Sequence, residues 1–278
     1  AAGFDKNAAH VHALAALGFA FIAVGSVTAR PAEGNPRPRL FRLPQDAALI
    51  NRMGLNNEGA QAVAARIEGL RAAGPLPVPL FINVAKTHDA ALCGDAAIAD
   101  YAEAVGRLQG LADAVVINIS CPNSGDGRTF EDPALLAPLL AALRPLVDVD
   151  RPLLVKLSPD LPDATLDAVI DTALDAGVTG FTATNTSVDR SRLITPPREL
   201  EQIGAGGLSG APLVERSRQV VAHVRRRIGP DRPIVGVGGV RTGADAAALR
   251  AAGADLVQLY TGFIYGGPTT VKRLVAAL

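Results

Sequence analysis

Short apolar runs alternate along the chain with longer Ala-rich stretches whose apolar positions recur at helical spacing. The short runs are AAGF (1–4), FAFIAVG (19–25), PLFINV (79–84), DAVVINIS (113–120), PLLVKLS (152–158), GFTATN (180–185), PIVGVGG (233–239) and DLVQLYTG (255–262). They predict eight strands, nearly continuous in hydrophobicity, as strands covered on both faces of a parallel sheet are. Helical spacing predicts helices over 7–18, 58–74, 96–111, 133–146, 163–177, 213–229, 243–253 and 270–278. Gly18, Gly177 and Gly253 stand where helix C-caps belong.

Eightfold strand–helix alternation predicts an α/β protein: a closed parallel (β/α)8, or TIM, barrel forming one domain over residues 1–278. The alternative, a doubly wound open sheet, calls for a glycine fingerprint after its first strand, which is missing. Two links are longer than plain barrel loops. Segment 26–57, with PRPRLFRLP and ALINRMG, predicts an excursion containing strands, and segment 186–212 ends in GAGGLSGAP. Long loops after strands build or cover active sites.

Composition narrows the function. The 278 residues carry 27 Lys+Arg against 27 Asp+Glu, a formal net charge of zero, which argues against a nucleic-acid partner and its basic face. At 49% hydrophobic the chain is no disordered polyelectrolyte. Cys93 and Cys121 fit a reducing compartment and offer no disulfide framework. No apolar run approaches the ~18 residues of a membrane span. AAGFDKN reads as the end of a strand, so the expectation is a natural N-terminal segment ahead of it, and nothing is read from absent targeting signals.

Of the 27 basic residues only Lys6, Lys86, Lys156 and Lys272 are lysine. In so Arg-rich a protein, a retained Lys suggests a need for a compact ammonium whose pKa can move. Lys6, Lys86 and Lys156 each follow an apolar run, whereas Lys272 lies in the final helix as an ordinary surface residue.

Barrel chemistry sits at the C-terminal ends of the strands. The predicted ends carry Asp5 and Lys6, Ser26, Asn83 and Lys86, Asn118, Ser120 and Cys121, Lys156, Thr184, Asn185 and Thr186, Gly238 and Gly239, and Tyr260 and Thr261. Asn51 and Asn123 fall in adjacent loops. Amides both donate and accept, so the set suits a planar ligand edged with carbonyls and N–H groups. A single Asn is better explained as a helix cap. PIVGVGGV and LVQLYTGFIYGGP follow the seventh and eighth strands, the usual phosphate site of this fold, and Gly206–Gly210 could close over the same group or form tight turns alone. No metal-ligand constellation, nucleophile elbow or carboxylate pair appears. Cys121 remains as a proton-transfer candidate beside its plainer reading as packing, and Cys93 reads as a bystander.

With these residues laid out, the chain resembles dihydroorotate dehydrogenase. AAGFDKN, NPRPRLFRL, LINRMGLNN, INISCPN, LLVKLSPDL, ATNTS, GGLSGAPL, VGVGGV and LVQLYTGFIYGGP fall in family order along nearly the whole sequence. NRMGLNN, FRLP and LYTGFIY resemble the quinone-using class 2 branch, which acts in de novo pyrimidine (UMP) biosynthesis. The resemblance implies FMN held by Ala2, Gly3, Lys6, Ser26, Asn83, Asn118, Lys156, Thr184, Gly210, Gly239, Tyr260 and Thr261. It implies dihydroorotate or orotate bound by Lys6, Asn51, Arg52, Met53, Gly54, Leu55, Asn118, Asn123, Asn185 and Thr186, with Cys121 as the base and no metal.

The class 2 branch usually carries Ser at that base position; cysteine is the class 1 choice, and the following SGDGRTFEDP also departs from the class 2 pattern. Arg42 and Tyr260 match positions near the quinone tunnel. The resemblance further implies a peripheral place on the cytoplasmic side of the inner membrane, with membrane contact only through the expected N-terminal segment ahead of Ala1. Two rivals remain open at this point: a flavin barrel acting on another dihydropyrimidine, and a barrel that binds a phosphorylated ligand without catalysis.

Overall fold

The computed structural model describes residues 1–120 and 129–277. In chain order its elements are α1 (Val11–Ala16), β1 (Ile22–Val27), β2 (Leu40–Leu43), β3 (Ala48–Asn51), α2 (Gly59–Ala72), β4 (Leu80–Val84), α3 (Gly94–Leu108) and β5 (Ala114–Asn118). There follow α4 (Pro133–Leu143), β6 (Leu153–Leu157), α5 (Asp163–Asp175), β7 (Gly180–Ala183), α6 (Pro197–Ile203) and β8 (Gly207–Gly210). The last are α7 (Val214–Ile228), β9 (Ile234–Val237), α8 (Gly243–Ala251), β10 (Leu256–Gln258), α9 (Thr261–Gly266) and α10 (Thr269–Val275). The described residues form two compact units. Unit 1 holds residues 1–35, 164–180 and the described part of 54–156, and unit 2 holds 36–53, 157–163 and the chain from Phe181 onward.

In unit 1, β1, β4, β5 and β6 pair side by side and parallel. All five residues of β5 and of β6 are buried, which explains why these segments read as unbroken apolar runs. The covering helices bury one stripe each: Val63 and Ile67 of α2, Tyr101, Val105 and Leu108 of α3, and Leu136, Leu139, Leu140 and Leu143 of α4. α4 starts where Asp132 accepts the Ala134 N–H at 2.9 Å and Pro133 opens the first turn.

In unit 2, β7, β9 and β10 are parallel, and β2, β3 and β8 form a separate antiparallel sheet. That small sheet has its own apolar cluster of Leu43, Ala48, Ile50, Leu208 and Ile203, flanked by Phe41, Leu193 and Leu200. The expected excursion in 26–57 is therefore a β2–β3 hairpin, and its third strand comes from the glycine-rich GGLSG segment.

One backbone clamp occurs in both units. Asp113, just before β5, accepts the N–H of Leu80 at the start of β4, and Arg71 of α2 grips both Asp113 and the Leu111 carbonyl. Asp255, just before β10, accepts the N–H of Ile234 at the start of β9, and Arg225 of α7 grips Asp255 and the Gly253 carbonyl. Each pair fixes the N-terminal ends of two strands, the face this fold reserves for stability.

Three expectations need correction. AAGF is no strand: the buried Asp5 carboxylate accepts the N–H groups of Ala9 and His10 at 2.9 and 2.8 Å, which turns the chain at once. The first helix therefore starts at Val11, not residue 7. The segment still lies along β1, with Gly3 N–H donating to the Gly25 carbonyl at 2.6 Å. The strand expected over 255–262 ends at Gln258, because its partner β9 ends opposite it at Val237, where Gly238 and Gly239 leave the extended region. Residues Thr261–Gly266 instead form a helix that the pattern had not predicted.

Candidate active site

Unit 1 gathers the polar strand ends. Asn118 and Lys156 are register partners on adjacent parallel strands, so both side chains leave the same face. Asn83 pairs with Val116, two residues before Asn118, and shares that face. Ser26 is the extra residue of a bulge between Gly25 and Val27. The bulge re-aims its hydroxyl, which donates to Asn83 Oδ1 at 2.8 Å and accepts from Asn118 Nδ2 at 3.4 Å. Gly25 has φ of 99°, and a Cβ there would strike the Asn83 backbone, so this bulge requires glycine. Asn83, Asn118, Ser26 and Lys156 are all buried. Tyr101 of α3 braces the end of β5, donating to the Asn118 carbonyl at 2.7 Å.

Burial pushes the Lys156 ammonium down to a pKa of about 8, and the charge of Lys6 pushes in the same direction. Two lysines within electrostatic reach, one of them buried, make a site prepared for negative charge. Lys86, singled out with them, donates to the Leu92 carbonyl at 2.9 Å and so ties down the loop after β4. Leu55 is positioned by Asn57, whose amide holds the Leu55 carbonyl and Thr28 Oγ1, both at 2.7 Å. Ala2, Gly3 and Lys6 are half-buried beside the end of β1, and Gly54 packs against Asn35. Cys121 and Asn123 lie outside the described residues.

Unit 2 carries a glycine cradle. A Cβ on Gly239 would meet the Val214 backbone nitrogen at 2.7 Å and the Gly210 carbonyl at 2.9 Å, and one on Gly238 would meet Ser217. Backbone thus approaches backbone here as it does around phosphate groups. Thr184 is buried over the same corner, with its hydroxyl 3.1 Å from Ser217 Oγ and its N–H on the Val237 carbonyl at 2.7 Å. Thr261 Oγ1 lies 2.8 Å from Ser209 Oγ. Burial raises the Tyr260 phenol, so it stays a neutral hydroxyl at neutral pH.

Asn51 ends β3 opposite Gly207, whose carbonyl accepts from its Nδ2 at 3.3 Å. Thr186 packs on Gly207, where no Cβ would fit. Arg52 stacks 4.6 Å over Phe41 and donates to the Ile203 carbonyl, while Arg190 donates to the Gly204 carbonyl at 2.7 Å. Both guanidiniums cap the C-terminal end of α6, where carbonyls lack helical partners. Met53 continues the same half-buried segment. Arg42 is exposed and close enough to Tyr265 to offset part of the rise that burial imposes on its phenol.

The structure thus brings Ser26, Asn83, Asn118, Lys156 and Lys6 together in unit 1. In unit 2 it collects Gly210, Gly239, Thr184 and Thr261 at one corner, and Asn51, Thr186 and Gly207 at another. Sequence reading missed the supports: Tyr101, Ser217, Asp46 and Asp160. Asp46 and Asp160 each follow a proline or precede one closely in a loop, which reads as turn chemistry and gives no sign of the distant N–H groups they hold.

The family profile described as dihydroorotate dehydrogenase matches residues 1–278. The chain belongs to the dihydroorotate dehydrogenase family. It is 49% identical to the dihydroorotate dehydrogenase (quinone) of Thermobifida fusca over 100% of this chain and 75% of that protein. With the corresponding Nocardioides protein the identity is 46%, over 99% of this chain and 80% of the relative. These relatives place the chain in the class 2, quinone branch despite its class 1-like Cys121. A crystal structure of the Eimeria tenella enzyme in complex with ferulenol superposes with a TM-score of 0.89 at 33% identity, covering 100% of this chain and 78% of that one. The fold class is therefore the family's TIM barrel, and the family is flavin-dependent.

Proposed function

We infer that this chain oxidises dihydroorotate to orotate in pyrimidine biosynthesis, as a single barrel domain, with FMN as its flavin and quinone as final electron acceptor. The observation that carries the reading is the buried Asn118–Lys156 pair, with Asn83 and Ser26 beside it, at strand ends of a chain in this family. A bound flavin would supply the hydride-accepting chemistry for the hydrogen lost from C6 of the substrate.

The chain's own residues fit such a group. Lys156 would hold the flavin and supply a positive charge against the negative charge that reduction brings. Its pKa of about 8 leaves it mostly protonated at neutral pH, and a neighbouring anion raises that fraction. The Gly210–Gly239 cradle accepts a phosphate through backbone N–H groups and separates FMN from riboflavin. Asn51, Asn118, Asn123, Asn185 and Thr186 read the pyrimidine edges, and Lys6 pairs with the substrate carboxylate. Cys121 takes the proton from C5. A thiol with an ordinary pKa of about 8.5 lies far closer to working pH than a serine hydroxyl, so it is the better-matched base. The family's peripheral position on the cytoplasmic side of the inner membrane would bring quinone within reach, with Arg42 and Tyr260 beside its path. Among the described residues, no helix is long and apolar enough to cross a membrane.

The test is anaerobic mixing of the yellow protein with dihydroorotate while flavin absorbance is followed. Bleaching is expected, with a rate that rises with pH as the thiol ionises. Cys121→Ala should nearly abolish bleaching while orotate still perturbs the flavin spectrum. Fast bleaching by that variant with an unmoved pH profile assigns the base elsewhere. No bleaching by the unaltered protein rejects the substrate.

A further inference from the structure

The motif after β6, Ser158-Pro159-Asp160, has no part in the chemistry above, yet Asp160 is heavily engaged. Its Oδ1 accepts from Ser187 Oγ, and its Oδ2 accepts from the Val188 N–H at 2.7 Å. These two residues directly follow Asn185 and Thr186. The turn that presents the carboxylate is itself gripped: Arg216 of α7 donates to the carbonyls of Pro159 and Leu161, on either side of Asp160, at 2.7 and 3.0 Å.

Asn185 and Thr186 are thus held from both ends. On one side the Asn185 N–H donates to the Leu157 carbonyl at 2.8 Å. On the other, Ser187 exchanges two backbone hydrogen bonds with Leu208 of β8, at 3.0 and 2.6 Å, while its side chain rests on Asp160. β8 pairs with β3, which carries Asn51. Between these ties the Asn185 side chain folds back, its Oδ1 accepting the Thr186 N–H at 2.9 Å.

We propose that Asp160, presented by Arg216, is a positioning residue that sets the geometry of Asn185 and Thr186 and thereby the affinity for the pyrimidine. The proposal rests on the reading of Asn185 and Thr186 as substrate contacts. A charged acceptor makes stronger hydrogen bonds than a neutral one, and both oxygens are used on two adjacent residues, which fixes a direction as well as a distance. A misplacement of a contact by even a fraction of a bond length costs binding more than it costs folding.

The experiment uses the flavin-loaded full chain carrying Asp160→Ala, Asp160→Asn, Asn185→Ala, or Asp160→Ala with Asn185→Ala. Orotate affinity is read from the shift it causes in the flavin spectrum, alongside KM and kcat for dihydroorotate, bound flavin per chain and Tm. Asp160→Ala should weaken orotate and raise KM about tenfold, as for loss of two charge-assisted hydrogen bonds, with kcat within about twofold. Asp160→Asn, which keeps one acceptor, should fall in between. The double variant should bind orotate hardly worse than Asn185→Ala, because Asp160 acts through that residue. If Asn185→Ala weakens orotate and both Asp160 variants leave it unchanged, the proposal alone fails. Unchanged orotate binding by Asn185→Ala removes the substrate contact and the proposal with it. Fully additive losses in the double variant, or losses of flavin and Tm without a change in KM, reduce Asp160 to a structural role and overturn the proposal. Should Asp160→Ala not fold, Asp160→Asn decides by the same readouts, with Ser187→Ala beside it as a variant that removes the Oδ1 contact together with the Asp189 N–H bond to the same hydroxyl.

Discussion

In its proposed role, Lys156 trades stability for function. Its folded pKa of about 8 lies below the ordinary value of 10.5, so folding weakens its hold on the proton. Below pH 8 the ammonium is charged in both states and its burial opposes folding. The penalty fades as pH climbs from about 8 to 10.5, where the folded state already holds a neutral amine. A shift of this size corresponds to about 3 kcal/mol as an order of magnitude. Lys156→Met should therefore raise the unfolding free energy of flavin-free protein at pH 7, and the gain should shrink by pH 10. The same variant should slow dihydroorotate-driven flavin reduction at least about tenfold, through loss of a charge aimed at the developing anion. Urea unfolding at the two pH values and stopped-flow absorbance measure the two halves. A variant less stable than the parent at pH 7 and equally fast in reduction contradicts both.

The β2–β3–β8 sheet is held to its surroundings by Asp46 in the β2–β3 turn. Burial works against its charge. The Thr195 hydroxyl and the N–H groups of Ile194 (2.7 Å) and Thr195 (3.1 Å) together outweigh that effect and leave the carboxyl below its usual range. A depressed carboxyl stabilises the fold above its unfolded pKa, and that contribution disappears as pH falls through the folded value. Asp46→Ala should cost about 1.5–3 kcal/mol at pH 7, the range for hydrogen bonds to a charged group, and much less near pH 3. Denaturant titration at both pH values checks this, and an equal cost at the two would show that the carboxylate charge contributes nothing.

For the whole molecule, a ligand that binds the folded state stabilises it by mass action. FMN at a hundred times its dissociation constant should add about 2.7 kcal/mol, or several degrees in Tm for a chain of this size. The glycine cradle makes a further point: riboflavin lacks the phosphate, so it should give a clearly smaller shift at equal concentration. Thermal unfolding with each flavin gives the comparison, and equal shifts would mean that the cradle around Gly210 and Gly239 holds no phosphate.

Local pattern was enough for most elements. The apolar runs that became β4, β5, β6, β7 and β9 and the helical spacing of α2 to α5, α7 and α8 show in the sequence because burial imposes its period on each segment separately. The same holds for the strand-end residues Asn83, Asn118 and Lys156, whose position in a parallel strand fixes which end they occupy. Other features depended on partners distant in sequence. AAGF has strand composition, but the buried Asp5 needs nearby N–H groups and turns the chain to reach them. Gly207–Gly210 has little strand propensity and pairs only because β3 offers an open edge and Thr186 leaves no room for a Cβ at Gly207. The engagement of Asp160 with Ser187 and Val188 spans 27 and 28 residues. Periodicity and turn chemistry report on a residue and its near neighbours. The hydrogen bonds that aim the site close over long separations, and only the folded chain decides which donors meet which acceptors.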